Sequence, residues 1–256
     1  MTIRNGIIAI LLAILIGVGG WYVFTHTSSL PHVLTESGDR LIKEDTEYYT
    51  VQAVYPNTTR LATRTDSTKA ADERVVNTIE SEIKDMLNGF KNQANKALTT
   101  EEKARLTEAK IKYSINLTNR PYNSGSFVSY EFDGFEDTGG AHPINFYKTF
   151  VFDLKGNSVE LDDLFTSGSG YLERIAAEAK KQIEVQLSTR GGEDATSTLV
   201  ADGVAPRADN FANWVDDAGV LTIFIPPYQA AAYAAGSFEV RIPLDDLKDI
   251  LKPGIQ

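Results

Sequence analysis

The chain has 256 residues, room for one large domain or two small ones. Its 25 Lys+Arg against 35 Asp+Glu leave a net charge of −10, which argues against a nucleic-acid binder tracking phosphates with a basic face. Cysteine is absent and only His26, His32 and His142 carry imidazole, which removes disulfides, thiol nucleophiles, thiolate zinc sites and a lipidated cysteine.

Residues 1–5 are a short end, expected to be cytoplasmic, ahead of an uncharged apolar run over residues 6–24. As a helix this run would span roughly 28 Å, close to a bilayer's hydrocarbon thickness. Arg4 precedes it and no Lys or Arg follows until Arg40, so the expected topology is single-pass, N-terminus inside and C-terminal part outside. Trp21 and Tyr22 stand where an interfacial aromatic anchor belongs. The rival is a cleaved signal peptide, for which Gly-Gly-Trp-Tyr-Val-Phe is a poor exit. Arg4 is the one base ahead of residue 25, so the outer part carries 24 bases and 35 acids, a net −11.

Residues 25–46, polar and containing Pro31 and Gly38, read as a tether. Residues 48–55 are rich in strand formers and stop at Pro56. Asp66 or Ser67 can cap a helix in which Val75, Val76, Ile79, Ile83, Met86, Leu87 and Phe90 form one apolar stripe. Thr99 and Glu102 resemble a capping box opening a second helix. Ile111, Tyr113, Ile115 and Leu117 alternate with polar residues as a half-buried strand, followed by a predicted turn over 119–125. Strands are predicted over 127–132 and 144–154, a helix capped by Ser169 over 170–187, and a loop over 188–203. Two more strands, 220–225 and 238–242, and a short helix over 244–251 complete the chain. Strand groups alternate with helices and include hairpin-like pairs, so the class is α+β.

Few residues invite chemistry. His142 is the lone histidine of the folded part, and a zinc site needs three or four ligands, so no metal or cofactor is expected. Gly139 and Gly140 lack the Lys and the strand–loop–helix setting of a P-loop and read as backbone needing positive φ or close approach. Asp162-Asp163, Asp216-Asp217 and Asp245-Asp246 are sequence neighbours, poorly placed to flank a substrate; two of the pairs stand where helix starts favour acids. The segment over 226–236 differs in kind. Pro227, Tyr228, Tyr233 and Gly236 on a surface connection would give large contact area at low entropic cost. A buried packing corner is the equal rival.

The motifs Thr138-Gly-Gly-Ala-His-Pro143, Phe152-Asp153-Leu154, Leu161-Asp-Asp-Leu-Phe165, Pro227-Tyr228 with Ala232-Tyr233-Ala234 and Gly236, and Ile242-Pro243 stand in the order seen in RsiV-type extracellular domains, which the chain resembles. The preceding half resembles the corresponding domain of PdaC-like peptidoglycan deacetylases. The resemblance implies a PdaC-like domain over 47–147 and an RsiV-like domain over 148–256, two interlocked α+β subdomains with mainly antiparallel sheets behind a transmembrane helix. It also implies a non-catalytic envelope sensor, because RsiV spans the membrane and its outer domain binds lysozyme. Two features depart from these families. Residues 1–5 are too short to hold a sigma factor. His26 and His32 lack the His-x-x-x-His spacing of the deacetylase catalytic domain. The expected partners are a lysozyme-like basic protein or peptidoglycan, and the bilayer through residues 6–24. Expected binding residues are Gly139, Gly140, His142, Pro227, Tyr228, Tyr233 and Gly236, with no catalytic residues. A peptidoglycan-acting enzyme and a structural envelope protein are the alternatives.

Overall fold

A computed structural model of the chain describes residues 32–34, 38–59, 66–190 and 198–255. Residues 31–256 belong to one compact unit. The expected anchor over 6–24, His26 and the first part of the tether lie outside the described residues. Among the described residues no helix is long and apolar enough to cross a membrane.

The class is α+β. Strands β1 (His32–Leu34), β2 (Arg40–Asp45) and β3 (Tyr49–Tyr55) open the unit, so the expected tether already contributes two strands. Helices α1 (Asp66–Ala97) and α2 (Thr100–Ala109) lead to β4 (Tyr113–Asn123), β5 (Phe127–Asp137) and β6 (Ile144–Asp153). These six strands form one sheet in sequence order, antiparallel except for β3 and β4. A parallel pair needs a crossover, and α1 with α2 supply it. Ala71, Val75, Ile79, Ile83, Leu87, Phe90 and Ala94 are buried at three- and four-residue spacing. They meet the sheet face carrying Val51, Ile115, Leu117, Phe132 and Phe150, where the last two rings meet edge-on at 5.6 Å.

Three expectations about this half are corrected. The stretch 119–125 is not one turn, because β4 runs on to Asn123 and the reversal is confined to Ser124–Ser126, where Ser124 Oγ accepts from the Ser126 and Phe127 amides. Ile111 precedes the strand and is exposed, because Lys110 ends α2 with a left-handed φ of 54° that turns the chain before Tyr113. The boundary drawn between 147 and 148 falls inside β6, which pairs with β5 from Ile144 to Asp153.

Beyond β6, a 3-10 turn (Leu161–Leu164), α3 (Tyr171–Thr189), α4 (Thr198–Gly203) and strands β7 (Trp214–Asp216), β8 (Val220–Ile225) and β9 (Phe238–Pro243) make the second half. The three strands form an antiparallel sheet in sequence order. Ala218 and Gly219, both at positive φ (52° and 86°), make a two-residue reversal between β7 and β8, the geometry that matches strand twist. Here α4 replaces the tail of the predicted 188–203 loop, and the closing helix shrinks to a 3-10 turn (Leu244–Leu247). Ser169 does not cap α3: Gly170 takes the cap position at φ 69°, and Ser169 Oγ is buried without a hydrogen bond.

Helix α3 lies along the open edge of β9 and completes it. Gln182 Nε2 donates to the Arg241 carbonyl at 2.7 Å, Gln186 Nε2 to the Glu239 carbonyl at 2.8 Å, and Arg190 Nη1 to the Ser237 carbonyl at 2.9 Å. Four helical residues advance about 6 Å and two strand residues about 6.8 Å, so side chains four apart meet carbonyls two apart. The helix thereby covers a sheet edge that would otherwise template another chain.

Candidate functional site

Two connections, one from each half, meet at the site. The first joins β5 to β6 and carries residues 138–143; the second joins β8 to β9 and carries residues 226–237. The Gln229 amide donates to the Pro226 carbonyl at 3.2 Å, closing a four-residue turn with Pro227 second and Tyr228 third. Tyr228 has φ 72°, the left-handed region that a third turn position ordinarily gives to Gly or Asn. Its side chain is 55% exposed. A bulky residue held there carries backbone strain that its surroundings must offset.

Those surroundings are aromatic. His142 stacks on Tyr233 at 3.7 Å between ring centroids with a 16° tilt, and the two tyrosine rings lie 5.4 Å apart. His142 Nδ1 lies 2.9 Å from the Pro143 carbonyl, which can only accept, so Nδ1 carries a proton. In the neutral ring Nε2 is then the acceptor for the Tyr228 hydroxyl, 2.7 Å away. Asn145 Nδ2 reaches the Tyr233 hydroxyl at 3.4 Å, and the Tyr147 hydroxyl pairs with Ser237 Oγ at 2.9 Å. His142, Tyr228 and Tyr233 thus converge from segments 86 residues apart.

The remaining sequence candidates play smaller parts. Pro227 is half-buried. Gly236 has φ 75° and donates its amide to the Tyr233 carbonyl at 2.9 Å. Gly139 has φ 72°, and a Cβ there would stand 2.5 Å from an Arg105 nitrogen, so it packs toward α2. Around Gly140 a Cβ would meet open space, its nearest neighbour being the His142 carbonyl oxygen at 3.9 Å, so no close approach explains this glycine. Sequence reasoning missed Asn145, Tyr147, Gln229 and Arg190. The one signal available was the four-residue spacing of Gln182, Gln186 and Arg190.

Beneath the aromatic group, the same face of β5 and β6 holds ionisable residues between the halves. Glu131 is 5% exposed; its carboxylate accepts from the Tyr122 hydroxyl at 3.2 Å and lies 3.8 Å from Arg120. Burial raises the Glu131 pKa, opposed by Arg120 and by the Tyr122 hydrogen bond. Burial likewise raises Asp133 against the pull of Arg120, and raises Tyr147, its cross-strand neighbour. Among the described residues no group of three or more His, Asp or Glu side chains could hold a metal ion.

Solved structures share this fold. A DUF3298 family protein from Pseudomonas aeruginosa PAO1 aligns with a TM-score of 0.58 at 15% identity, over 89% of this chain and 97% of that one. A member of the same family from Bacteroides fragilis NCTC 9343 aligns with a TM-score of 0.56 at 17% identity, over 84% and 92%. These likenesses establish the fold. At the level of sequence, residues 42–145 match the family described as "Deacetylase PdaC", and residues 162–245 match the "Protein of unknown function (DUF3298)" family. The chain is also 25% identical over 158 residues to the peptidoglycan-N-acetylmuramic acid deacetylase PdaC of Bacillus subtilis strain 168. That alignment covers 61% of this chain and 32% of the deacetylase, so the chain spans about a third of its relative's length. The first half is therefore PdaC-like.

Proposed function

We propose that the chain is a membrane-anchored, outward-facing envelope module that binds a lysozyme-like basic protein through the Tyr228 tip and carries out no catalysis itself. The observation that carries this reading is the presentation of Tyr228, an exposed ring on a strained turn, braced by His142 and Tyr233. A projecting, pre-organised aromatic suits a concave partner, and a glycan-cleaving enzyme is built around a cleft between two carboxyl groups. The −10 charge would steer a basic partner toward the tip before short-range contact forms. The RsiV-type resemblance supports the same partner and an anchor over residues 6–24, with the N-terminus inside and the binding module outside the cell membrane.

A second reading, action on the cell wall itself, is favoured by the relative named for peptidoglycan N-acetylmuramic acid and by the raised carboxyls Glu131 and Asp133 near the aromatic group. In surface plasmon resonance against a basic c-type lysozyme, Tyr228→Ala should weaken binding about thirtyfold, the scale of an interface hot spot. Its melting temperature should stay near the parent's, and added salt should chiefly slow association. Muropeptide turnover lost in His142→Ala or Glu131→Gln, with no lysozyme binding by the parent, would replace this reading with the enzymatic one.

A further inference from the structure

The connection that carries Tyr228 is clamped at both ends. At its start, Gln229 Nε2 donates to the Gly203 carbonyl at 2.8 Å and to the Asn210 carbonyl at 2.9 Å. The backbone of α4 sits so close there that a Cβ on Gly203 would stand 2.0 Å from the Gln229 carbonyl oxygen. At its end, Arg190 closes α3 and reaches across. Its Nη1 donates to the Ala235 carbonyl at 2.6 Å and the Ser237 carbonyl at 2.9 Å, on either side of Gly236. The guanidinium lies 4.7 Å from the centroid of the Phe238 ring, and Nη2 is 3.4 Å from Gln186 Oε1. Of the three side chains that bridge α3 to β9, only Arg190 reaches past the strand into the connection. Gln182 and Gln186 bond to β9 and not to the connection.

We propose that Arg190 is a positioning residue for the aromatic tip: by holding the carbonyls around Gly236 it fixes the exit of the 226–237 connection and so the place of Tyr233 against His142. The role follows from geometry. Tyr233 is three residues from Gly236 and joined to it by the Gly236 amide, so a shift at the clamp moves the ring on which His142 stacks. That stack sets the angle at which His142 Nε2 meets the Tyr228 hydroxyl. The guanidinium satisfies two carbonyls from Nη1 while its carbon lies over the Phe238 ring; a compact, strongly hydrated ammonium on a flexible stem does not reproduce both contacts. Loss of the clamp would return the tip to several conformations, and a partner would have to order it again on binding.

The inference rests on the binding reading for its consequence but not for its measurement. In the intact chain, the nitrogen-15 resonance of His142 Nε2 reports the Tyr228 hydrogen bond directly. Arg190→Ala should move that resonance toward a solvent-exposed imidazole and weaken binding to a basic c-type lysozyme about tenfold, mostly through faster dissociation. Gln182→Ala, which removes a rung between α3 and β9 that does not touch Arg190, should lower the melting temperature and leave both the resonance and the affinity at parental values. If Arg190→Ala does not fold, Arg190→Lys, keeping stem and charge, should show the same displaced resonance. An unchanged resonance in the folded Arg190 variant, or an equal displacement in Gln182→Ala, overturns the positioning role. A parent that fails to bind lysozyme overturns the partner instead, and the resonance arm still decides the role of Arg190.

Discussion

At the scale of single residues, two side chains sit where elementary preferences would not put them. Tyr228 occupies a left-handed turn position, and Glu131 is an acid at 5% exposure between two sheets. The first is legible in part: Pro226-Pro227 announces a turn, but nothing local announces that a tyrosine takes the place of glycine, since the compensating His142 lies 86 residues away. The second could not be foreseen, because Ser129, Glu131 and Asp133 alternate like a solvent-facing strand side and that side is covered by the distant second half, through Trp214–Asp216 and Phe224. Its energetics can be checked. Burial holds the folded-state pKa of Glu131 above the ordinary 4.5, so folding favours the protonated form. Stability from this group is fully present below the unfolded value and is lost as pH rises through the raised folded value. Glu131→Gln keeps the shape and a hydrogen-bond acceptor for Tyr122 while discarding the charge. It should be more stable than the parent at pH 7, with the gain gone at pH 4, as read by urea unfolding at both pH values.

At the scale of elements, the α1 stripe, the Thr99 cap and the β8 and β9 strands were all legible, because each is a local pattern that its own burial then satisfies. Thr99 Oγ1 accepts from the Glu102 amide at 3.2 Å, as the spacing implied, but the box does not close, because the Glu102 carboxylate accepts from Arg105 and the Thr99 amide donates to the Ala97 carbonyl. Elements set by distant partners were not. Residues 214–216 are too few to show a period, yet Trp214 and Val215 are buried and Asp216 takes the Gly219 amide at 2.8 Å to fix the reversal. The parallel β3–β4 pairing also depends on the crossover as a whole. Helix α3 shows the same limit: Ile175, Ala179 and Ile183 of its inner stripe were readable, its polar stripe toward β9 was not. Gln182 both donates to the Arg241 carbonyl and accepts the Arg241 amide at 3.0 Å, standing in for a missing strand. Gln182→Ala should therefore cost about 1–2 kcal/mol in chemical denaturation, two lost hydrogen bonds at a partly wet edge. Lys181→Ala, one residue away and exposed with a weak helical ion pair to Glu178 at 3.4 Å, should stay within about 0.5 kcal/mol of the parent.

At the scale of the whole unit, the two halves differ in the families they match but share a core. Phe127 and Val151, both from the six-stranded sheet, belong to the same buried cluster as Leu164, Ile175, Trp214 and Ile223 from the second half. Tyr147 packs on Phe224 at 5.3 Å between centroids, and the Trp214 amide donates to Thr149 Oγ1 at 3.0 Å. Removing either half would strip apolar cover from the other, so the two should unfold together rather than in sequence. Native-state hydrogen exchange tests this on amides at the centre of each sheet, Phe132 in β5 and Ile223 in β8. Both should open with the same free energy as denaturant is raised and match the global value from circular dichroism. Thr149→Val sharpens the comparison, because it keeps the volume of β6 while leaving the buried Trp214 amide without its acceptor. That loss should be about 1–3 kcal/mol and should appear equally at Phe132 and Ile223. Protection that falls at Ile223 alone would mean that the second half opens by itself, and the tip built from both halves would then disassemble without unfolding the PdaC-like sheet.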